Sequence, residues 1–390
     1  MLELELPFRV KRPILACGAD LKGSFALAKD KKAFLVDGFK DLSDPENFAS
    51  YQEAIARYGK KLKIRPKIVA CDLHPGYFST CFAESEEPKF GRICKVQHHE
   101  AHVASAIVDN SIKGDVIGIA FDGTGFGSDG NIWGGEFFIG TFKNFRRVTH
   151  LAHIPMPGAD AAIREPWRMA ASFLYNVYGN DFLTLQIGLV KKISRKNWDV
   201  LKKMIDNRIN SPLASSVGRL FDAAASIILV KEKAAFEAEL PVELERIARQ
   251  AYSDSYDFVV ESKNGMLVIN PSQIIRGIVR DISKKIDKPT ISAKFHNSIA
   301  GMILEISLKV RKRFGVEKIV LSGGVFQNKF LTARAQEIMR KEGFKIYTHS
   351  NVQTNDSGIP VGQIAIANAR LTEWHPIDIR SGAQARAVCA

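Results

Sequence analysis

Residues 116–138 read VIGIAFDGTGFGSDGNIWGGEFF, and the reading of the fold turns on them. Val116, Ile117, Ile119, Ala120 and Phe121 form an apolar, β-prone run. The run breaks at Asp122-Gly123-Thr124-Gly125-Phe126-Gly127 and turns through Ser128-Asp129-Gly130-Asn131. It returns as a second β-prone run from Ile132. A buried strand that ends in an acid and alternating glycines bares backbone N–H groups to a close-lying anion. This is the sequence of a phosphate-binding β-turn-β loop. A plain glycine-rich hairpin is the bland alternative, since Asp-Gly is ordinary turn chemistry. Asp122, at the strand's end, is placed to face a metal or a bound water.

A chain of 390 residues exceeds the usual size of one core, so two lobes are expected. With 46% hydrophobic and 25% charged residues it has the composition of a folded soluble protein. No apolar run reaches the roughly 20 residues of a membrane span. The opening MLELELPFRVKRP lacks the basic-then-apolar order of a signal peptide. A cytoplasmic protein without membrane partners is the expectation. Cys17, Cys71, Cys81, Cys94 and Cys389 are odd in number and scattered, with no CxxC, which argues against a disulfide framework or structural zinc. The net charge of +13 raises a nucleic-acid partner, but the basic residues are dispersed and no aromatic platform accompanies them. A nucleic-acid partner is therefore not expected.

The stretch at 116–138 has an echo. From Pro13 the chain gives a strand, a Gly18-Ala19-Asp20-Leu21-Lys22-Gly23 turn, a second strand from Ser24 and a third from Ala33. A helix follows over Asp44–Tyr58, then a short strand at 67–72. Lys318 to Gly324 repeats that last design. Two copies of one unit facing across a cleft would bring strand-end loops to a shared ligand site. The expected division is residues 1–115 as an N-terminal lobe and 116–372 as a C-terminal lobe. The latter holds a helical insert at about 160–290, with helical patterns at 161–177, 197–207, 219–230, 239–254 and 271–286. A long helix at 292–314 and a last one at 360–370 complete it, and residues 373–390 are expected to be a disordered tail.

His98-His99-Glu100-Ala101-His102 is the strongest metal signal. His98 and His102 stand at i, i+4, so on a helix both imidazoles leave one face and can grip one ion. Carboxylates from elsewhere must complete such a site, and Asp122 and Asp356 are the candidates, each in a glycine-containing loop. An Asx-turn or cap is the ordinary role for either. In the segment 321–328, LSGGVFQN, the glycines leave bare backbone for an adenine or ribose to lie against, with Asn328 available to hydrogen-bond.

Taken together, His98–Ala106, DGTGFGSDGNIWGGE at 122–136, IREPWRMA at 163–170, VGRLFDA at 217–223, FHNSIA at 295–300, 321–328 and NDSGI at 355–359 occur in an order that resembles the C-terminal carbamoyltransferase region of HypF, a maturation-factor family of nickel–iron hydrogenases. The resemblance spans Pro13 to Leu371. It implies an α/β, duplicated, actin-like ATPase fold with two lobes and an interlobe cleft, shared with tRNA-modifying TsaD proteins and antibiotic O-carbamoyltransferases. It implies a divalent metal (iron or zinc) on His98, His102, Asp122 and Asp356. ATP or carbamoyl-adenylate would lie on Lys22, Gly123, Thr124, Gly125, Gly218, Asp222, Gly323, Gly324, Asn328 and Asn355, with Mg as a further ion. Asp122, Asp356 and Arg164 would be catalytic, and Arg219 would help to offset the leaving group's charge. The implied reaction passes a carbamoyl group from carbamoyl-adenylate to the C-terminal cysteine of HypE, as a precursor of the CN ligands of the hydrogenase iron.

Members of the family carry acylphosphatase-like, zinc-finger and YrdC-like modules ahead of this region. Their sequence is not in this chain, so a YrdC-like domain or protein is the expected source of the adenylate. Phe236-Glu237-Ala238-Glu239-Leu240-Pro241 stands where the family has Tyr-Glu-Gly-Gln-Ala-Ala, the segment 37–42 lacks the family's Ser-Gln-His-Ile-Gly, and Asp356-Ser357-Gly358 replaces Asp-Gly-Gly. Three readings follow: the carbamoyltransferase, an O-carbamoyl or TsaD-like enzyme, and a nucleotide-binding scaffold for HypE.

Overall fold

The computed structural model describes residues 1–86 and 91–371; the expected tail at 373–390 lies outside the described residues. Strands β1 (Leu2–Ala16), β2 (Phe25–Val36), β3 (Ile68–Asp72) and β4 (Ile93–Val96) form one sheet in the order β2-β1-β3-β4. The β1–β2 pair is antiparallel, and β1–β3 and β3–β4 are parallel. A second sheet contains β5 (Val116–Phe126), β6 (Ile132–Gly140), β7 (Arg146–Leu151), β10 (Val259–Lys263), β11 (Met266–Asn270), β12 (Lys318–Ser322) and β13 (Lys345–Tyr347), in the order β10-β11-β7-β6-β5-β12-β13. Two short strands, β8 (Ile154–Pro155) and β9 (Leu213–Ala214), hang from β6. In both sheets an antiparallel hairpin is followed by two parallel strands (β1-β3-β4 and β5-β12-β13), so the expected α/β unit is present in two copies.

Some elements differ from the sequence-based expectation. The strands expected from Ser24 and Ala33 are one strand, β2, and β1 begins at Leu2 rather than after Pro13. The alternation in LELEL, with Leu4 and Leu6 buried and Glu3 and Glu5 exposed, was the available signal for that early start. The helix expected over 161–177 is two, Asp160–Arg164 and Trp167–Tyr178. Pro166 forces Glu165 out of the helical region (φ −124°, ψ 71°). The pattern at 239–254 forms a helix only over Glu239–Ile247. The helical insert also contains β9, β10 and β11, the last two extending the second sheet beyond β7.

Two helices tie the lobes together by exchange. Helix His98–Asp109 follows the first sheet, but its Val103, Ala106 and Ile107 share a core with Val116, Ala120, Phe138 and Val320 of the second. A side chain at Gly118 of β5 would lie 2.4 Å from Val103 Cγ1, so glycine admits the helix to the sheet. The terminal helix Ile359–Arg370 follows the second sheet, yet Ile359, Val361, Ile364 and Ala365 share a core with Ile14, Ala26 and Ala70 of the first. A boundary at 115/116 that gives 116–372 to one lobe therefore misplaces this helix, because the face it buries belongs to the first sheet. The two helices meet where Gly362 leaves room for the Ala101 carbonyl: a Cβ there would be 1.9 Å from that oxygen. Gly362→Ala should lower the free energy of unfolding by an amount at the upper end of about 1–3 kcal/mol, because backbone rather than a flexible side chain must yield. Thermal or urea unfolding checks this; an unchanged midpoint would show that the helix pair adjusts freely.

Candidate functional site

Asp122 owes its position to a bulge. The β5–β6 register is regular from Val116/Gly140 to Phe121/Gly135, then shifts, and resumes at Gly125/Trp133. Asp122-Gly123-Thr124 leave the ladder at that shift, and β5 runs on to Phe126 instead of ending at Asp122. Ser216, which caps helix Val217–Leu229, donates to the carbonyls of Asp122 and Gly123 at 2.8 and 2.6 Å and accepts from Arg219 N. Gly218 permits the close approach, since a Cβ there would sit 2.7 Å from Gly123 Cα. The N-terminus of a buried helix is thus pressed against the bulge, a setting that favours anions.

Four ligand atoms, one each from His98, His102, Asp122 and Asp356, lie within 4.8 Å of one another, and all four residues are buried. His98 Nε2 is 3.4 Å from Asp122 Oδ2 and 3.8 Å from Asp356 Oδ1; His102 Nε2 is 3.7 and 3.4 Å from the same atoms. Neither Nε2 has a hydrogen-bond partner in a geometry that satisfies it. Two buried imidazole nitrogens and two carboxylates converging on one point fit a divalent cation of the zinc or iron type. The support around them is of the kind that orients metal ligands. Asp72 Oδ2 sits 2.8 Å from His98 Nδ1, placing the proton on Nδ1 and leaving Nε2 to the centre. Gly324 N donates to Asp122 Oδ1 at 2.9 Å, which turns Oδ2 inward. Burial by itself would lower both histidines; the carboxylates of Asp72 and Asp122 hold His98 well above its usual pKa, and those of Asp122 and Asp356 raise His102. Burial raises Asp122, but the two histidines outweigh it and hold it well below the usual carboxylate range. A cation binding here displaces protons.

A cavity of about 260 Å³ opens beside this group, with Asp122 and Asp356 in its wall. Of the expected nucleotide contacts, Lys22, Gly123, Thr124, Gly218, Asp222, Gly324 and Asn328 line it. Gly125, Gly323 and Asn355 do not. Gly125 makes room for the His98 and His99 rings, which a Cβ would approach to 2.6 and 2.5 Å. Gly323, at φ 100°, lets β12 close against the Phe121 carbonyl. Asn355 accepts from Ser357 N as a turn cap. Arg164 is exposed at the end of its helix and is not among the cavity's lining residues. Asn328 lines the cavity with its side chain already engaged: Oδ1 caps Leu331 N, and Nδ2 meets His296 Nε2 at 2.9 Å. His296, pushed down to about 4 by burial, is neutral and receives that bond, which gives the FHNSIA segment its role.

Several residues in and around the site were given no role from sequence. Asp72 ends β3 as Asp122 ends the regular part of β5, and that parallel was its signal. Glu237 reaches across to Lys22 at 3.4 Å, and Glu245 accepts from Lys329 N and Phe330 N. Arg219 and Asp222, both named from the resemblance, form a buried pair at 2.9 Å in which Arg219 Nε and Nη1 find no hydrogen-bond partner. Unmatched polar atoms in a cavity wall call for a polar ligand. Cys17 and Cys71 are buried free thiols, whereas Cys81 and Cys94 are only partly buried. Among the described residues no helix is long and apolar enough to cross a membrane.

Residues 9–109 match the family model described as HypF Kae1-like domain. Residues 118–363 match the one described as carbamoyltransferase, Kae1-like domain, second subdomain. The chain is 32% identical over 375 residues to carbamoyltransferase HypF of Synechocystis sp., covering 93% of this chain and 48% of that protein. It is 30% identical over 370 residues to a carbamoyltransferase HypF homolog of Cupriavidus necator, covering 91% of each. The chain thus spans about half the length of the first relative and nearly all of the second. A crystal structure of full-length HypF in a phosphate- and nucleotide-bound form superposes with a TM-score of 0.89 at 38% identity, covering 95% of this chain and 57% of that one. HypF of T. kodakarensis gives 0.86 at 28% identity, covering 95% and 49%.

Asp222 supplies a pH test of the cavity. Burial raises it to about 6 from an ordinary 3.8, with Arg219 opposing and Glu237 adding to the shift. Its ionised form is harder to reach in the fold than in the unfolded chain, so its contribution to stability is complete below the unfolded value and lost as pH rises through about 6. Unfolding free energies of wild type and Asp222→Asn should therefore diverge by about 3 kcal/mol, against the wild type, from about pH 4 to about pH 8. A pH-independent difference would show that Arg219 keeps Asp222 ionised throughout.

Proposed function

We propose a reaction from one premise: the chain belongs to the HypF family of carbamoyltransferases, as a carrier of its Kae1-like domain. The protein transfers the carbamoyl group of carbamoyl-adenylate to a thiolate, the C-terminal cysteine of a HypE-type acceptor. The observation that carries this reading is the shared wall: Asp122 and Asp356 belong both to the four-residue ligand group and to the cavity. A nucleotide in the cavity would thus present its acyl-phosphate end to that group. A divalent cation held by His98, His102, Asp122 and Asp356 would polarise the carbamoyl carbonyl or the phosphoryl oxygen. The HypF structure with bound nucleotide supports a nucleotide here, and a YrdC-like domain or protein is the proposed source of the adenylate.

The chain's own residues divide the remaining work. Lys22 and Arg219 set two cations in the cavity wall, where negative charge gathers on the departing phosphate. The bulge at Gly123-Thr124 and the N-terminus of helix Val217–Leu229 set partial positive charge on the same side. The acceptor thiol gives its proton to solvent, the resulting thiolate attacks the carbamoyl carbon and a C–S bond forms. The C–O bond to phosphate breaks, and its electron pair leaves with AMP. Asp222 and Glu237, both in the wall, are placed to accept from ribose hydroxyls.

The test supplies the chain with carbamoyl-adenylate and a HypE-type acceptor and weighs the acceptor. Wild type should add the mass of one carbamoyl group and release AMP, and His98→Ala with His102→Ala should slow transfer at least about 100-fold. An acceptor that is bound but never modified would replace this reading with the scaffold.

A further inference from the structure

The histidine helix carries more than the two histidines. His98, His102, Ser105 and Asp109 fall at spacings of four, three and four, so they form one stripe along one face of helix His98–Asp109. The first two point at the ligand group. The last two grip the loop that delivers Asp356. Ser105, itself buried, donates to the Gly358 carbonyl at 2.8 Å, two residues beyond Asp356. Asp109 ends the helix, and its carboxylate accepts from the backbone of Ser350, Asn351 and Val352 at 2.7, 3.1 and 3.3 Å and from Asn351 Nδ2 at 3.0 Å. Those contacts lie four to six residues before Asp356. One helix thus holds two ligands and clamps the segment bearing a third ligand on both sides.

A second chain of contacts ties the helix to the end of β12 and, through His349, to the start of that loop. Ser322, the last residue of β12, donates its hydroxyl to the His102 carbonyl at 2.8 Å. With that proton committed, its oxygen accepts from His349 Nε2, also at 2.8 Å. Burial pushes His349 down to about 4, so the ring is neutral. His349 and the Asp109-bound residues are consecutive, so this contact and the Asp109 clasp act on one piece of backbone.

We propose that Ser105 and Asp109 are positioning residues for the ligand group: by holding residues 350–358 against the histidine helix they set the distance between Asp356 and the two imidazoles. This rests on the reading of the group as a divalent-cation site. A purely structural role would affect folding stability alone; a positioning role changes the coordination.

Co²⁺ is the probe, because its visible spectrum reports ligand number and geometry. The full chain is titrated as wild type, Asp356→Ala, Ser105→Ala and Asp109→Asn, with melting of each metal-free form measured in parallel. Ser105→Ala and Asp109→Asn are expected to weaken Co²⁺ binding about tenfold or more and to shift the spectrum toward that of Asp356→Ala. Ser105→Ala removes a single hydroxyl, so it remains informative if Asp109→Asn does not fold. Variants that melt at lower temperature but bind Co²⁺ with the wild-type constant and spectrum would overturn the proposal. Wild type that binds no Co²⁺ while Asp356→Ala behaves identically would overturn the cation reading itself, and the proposal with it.

Discussion

The structure depends on one electrostatic demand: two imidazoles and two carboxylates are buried within 4.8 Å of one another, with Asp72 directly behind. Burying ionisable groups is costly unless they are paired and their remaining donors and acceptors are met. Much of the surrounding architecture meets that demand. Gly324 N holds one oxygen of Asp122, Ser216 holds the backbone of the same residue, and Ser322 holds the His102 carbonyl. The bulge in β5, the helix cap at Ser216 and the end of β12 are separate in sequence, and each serves the same few atoms.

The same economy shapes the cavity. Its anion-binding character comes from the bulge and a helix N-terminus more than from a row of free N–H groups at the glycines. Gly324 is a case in point: its N–H is committed to Asp122, so the residue orients a carboxylate. Glycines here are mainly solutions to crowding. Gly125 yields to the histidine rings, Gly218 to the Gly123 backbone and Gly362 to the Ala101 carbonyl.

What could be read from the sequence follows from how local each feature is. The pair His98 and His102 is a helical spacing, and Asp122 sits at the end of an apolar run, so both were legible, as was the hairpin at 116–138. Asp356 was a candidate from its glycine-containing loop, and the family resemblance brought in much of the cavity. Asp72 shares its strand-end position with Asp122, but it was missed because its partner, His98, lies 26 residues away. The helix exchange was invisible for the same reason, since it depends on contacts such as Gly362 with Ala101. Arg164 was named from the resemblance alone; it is exposed and does not line the cavity. Gly323, Gly125 and Asn355 belong to the same segments but do not line the cavity, and a linear motif does not say which of its residues will.

The exchange of helices also determines how the molecule can move. Each lobe is gripped by a helix whose chain originates in the other, and the two cross at a backbone contact with no side chain between them. Such a crossing acts as an axle: a rotation of one lobe against the other has its shortest lever arm there. Ala101 sits between the two histidines, so the ligand group lies next to the axle, while Lys22 and Glu237 meet at the rim. A rotation of one lobe against the other about that crossing would therefore separate Lys22 from Glu237 far more than it would disturb His98, His102, Asp122 and Asp356.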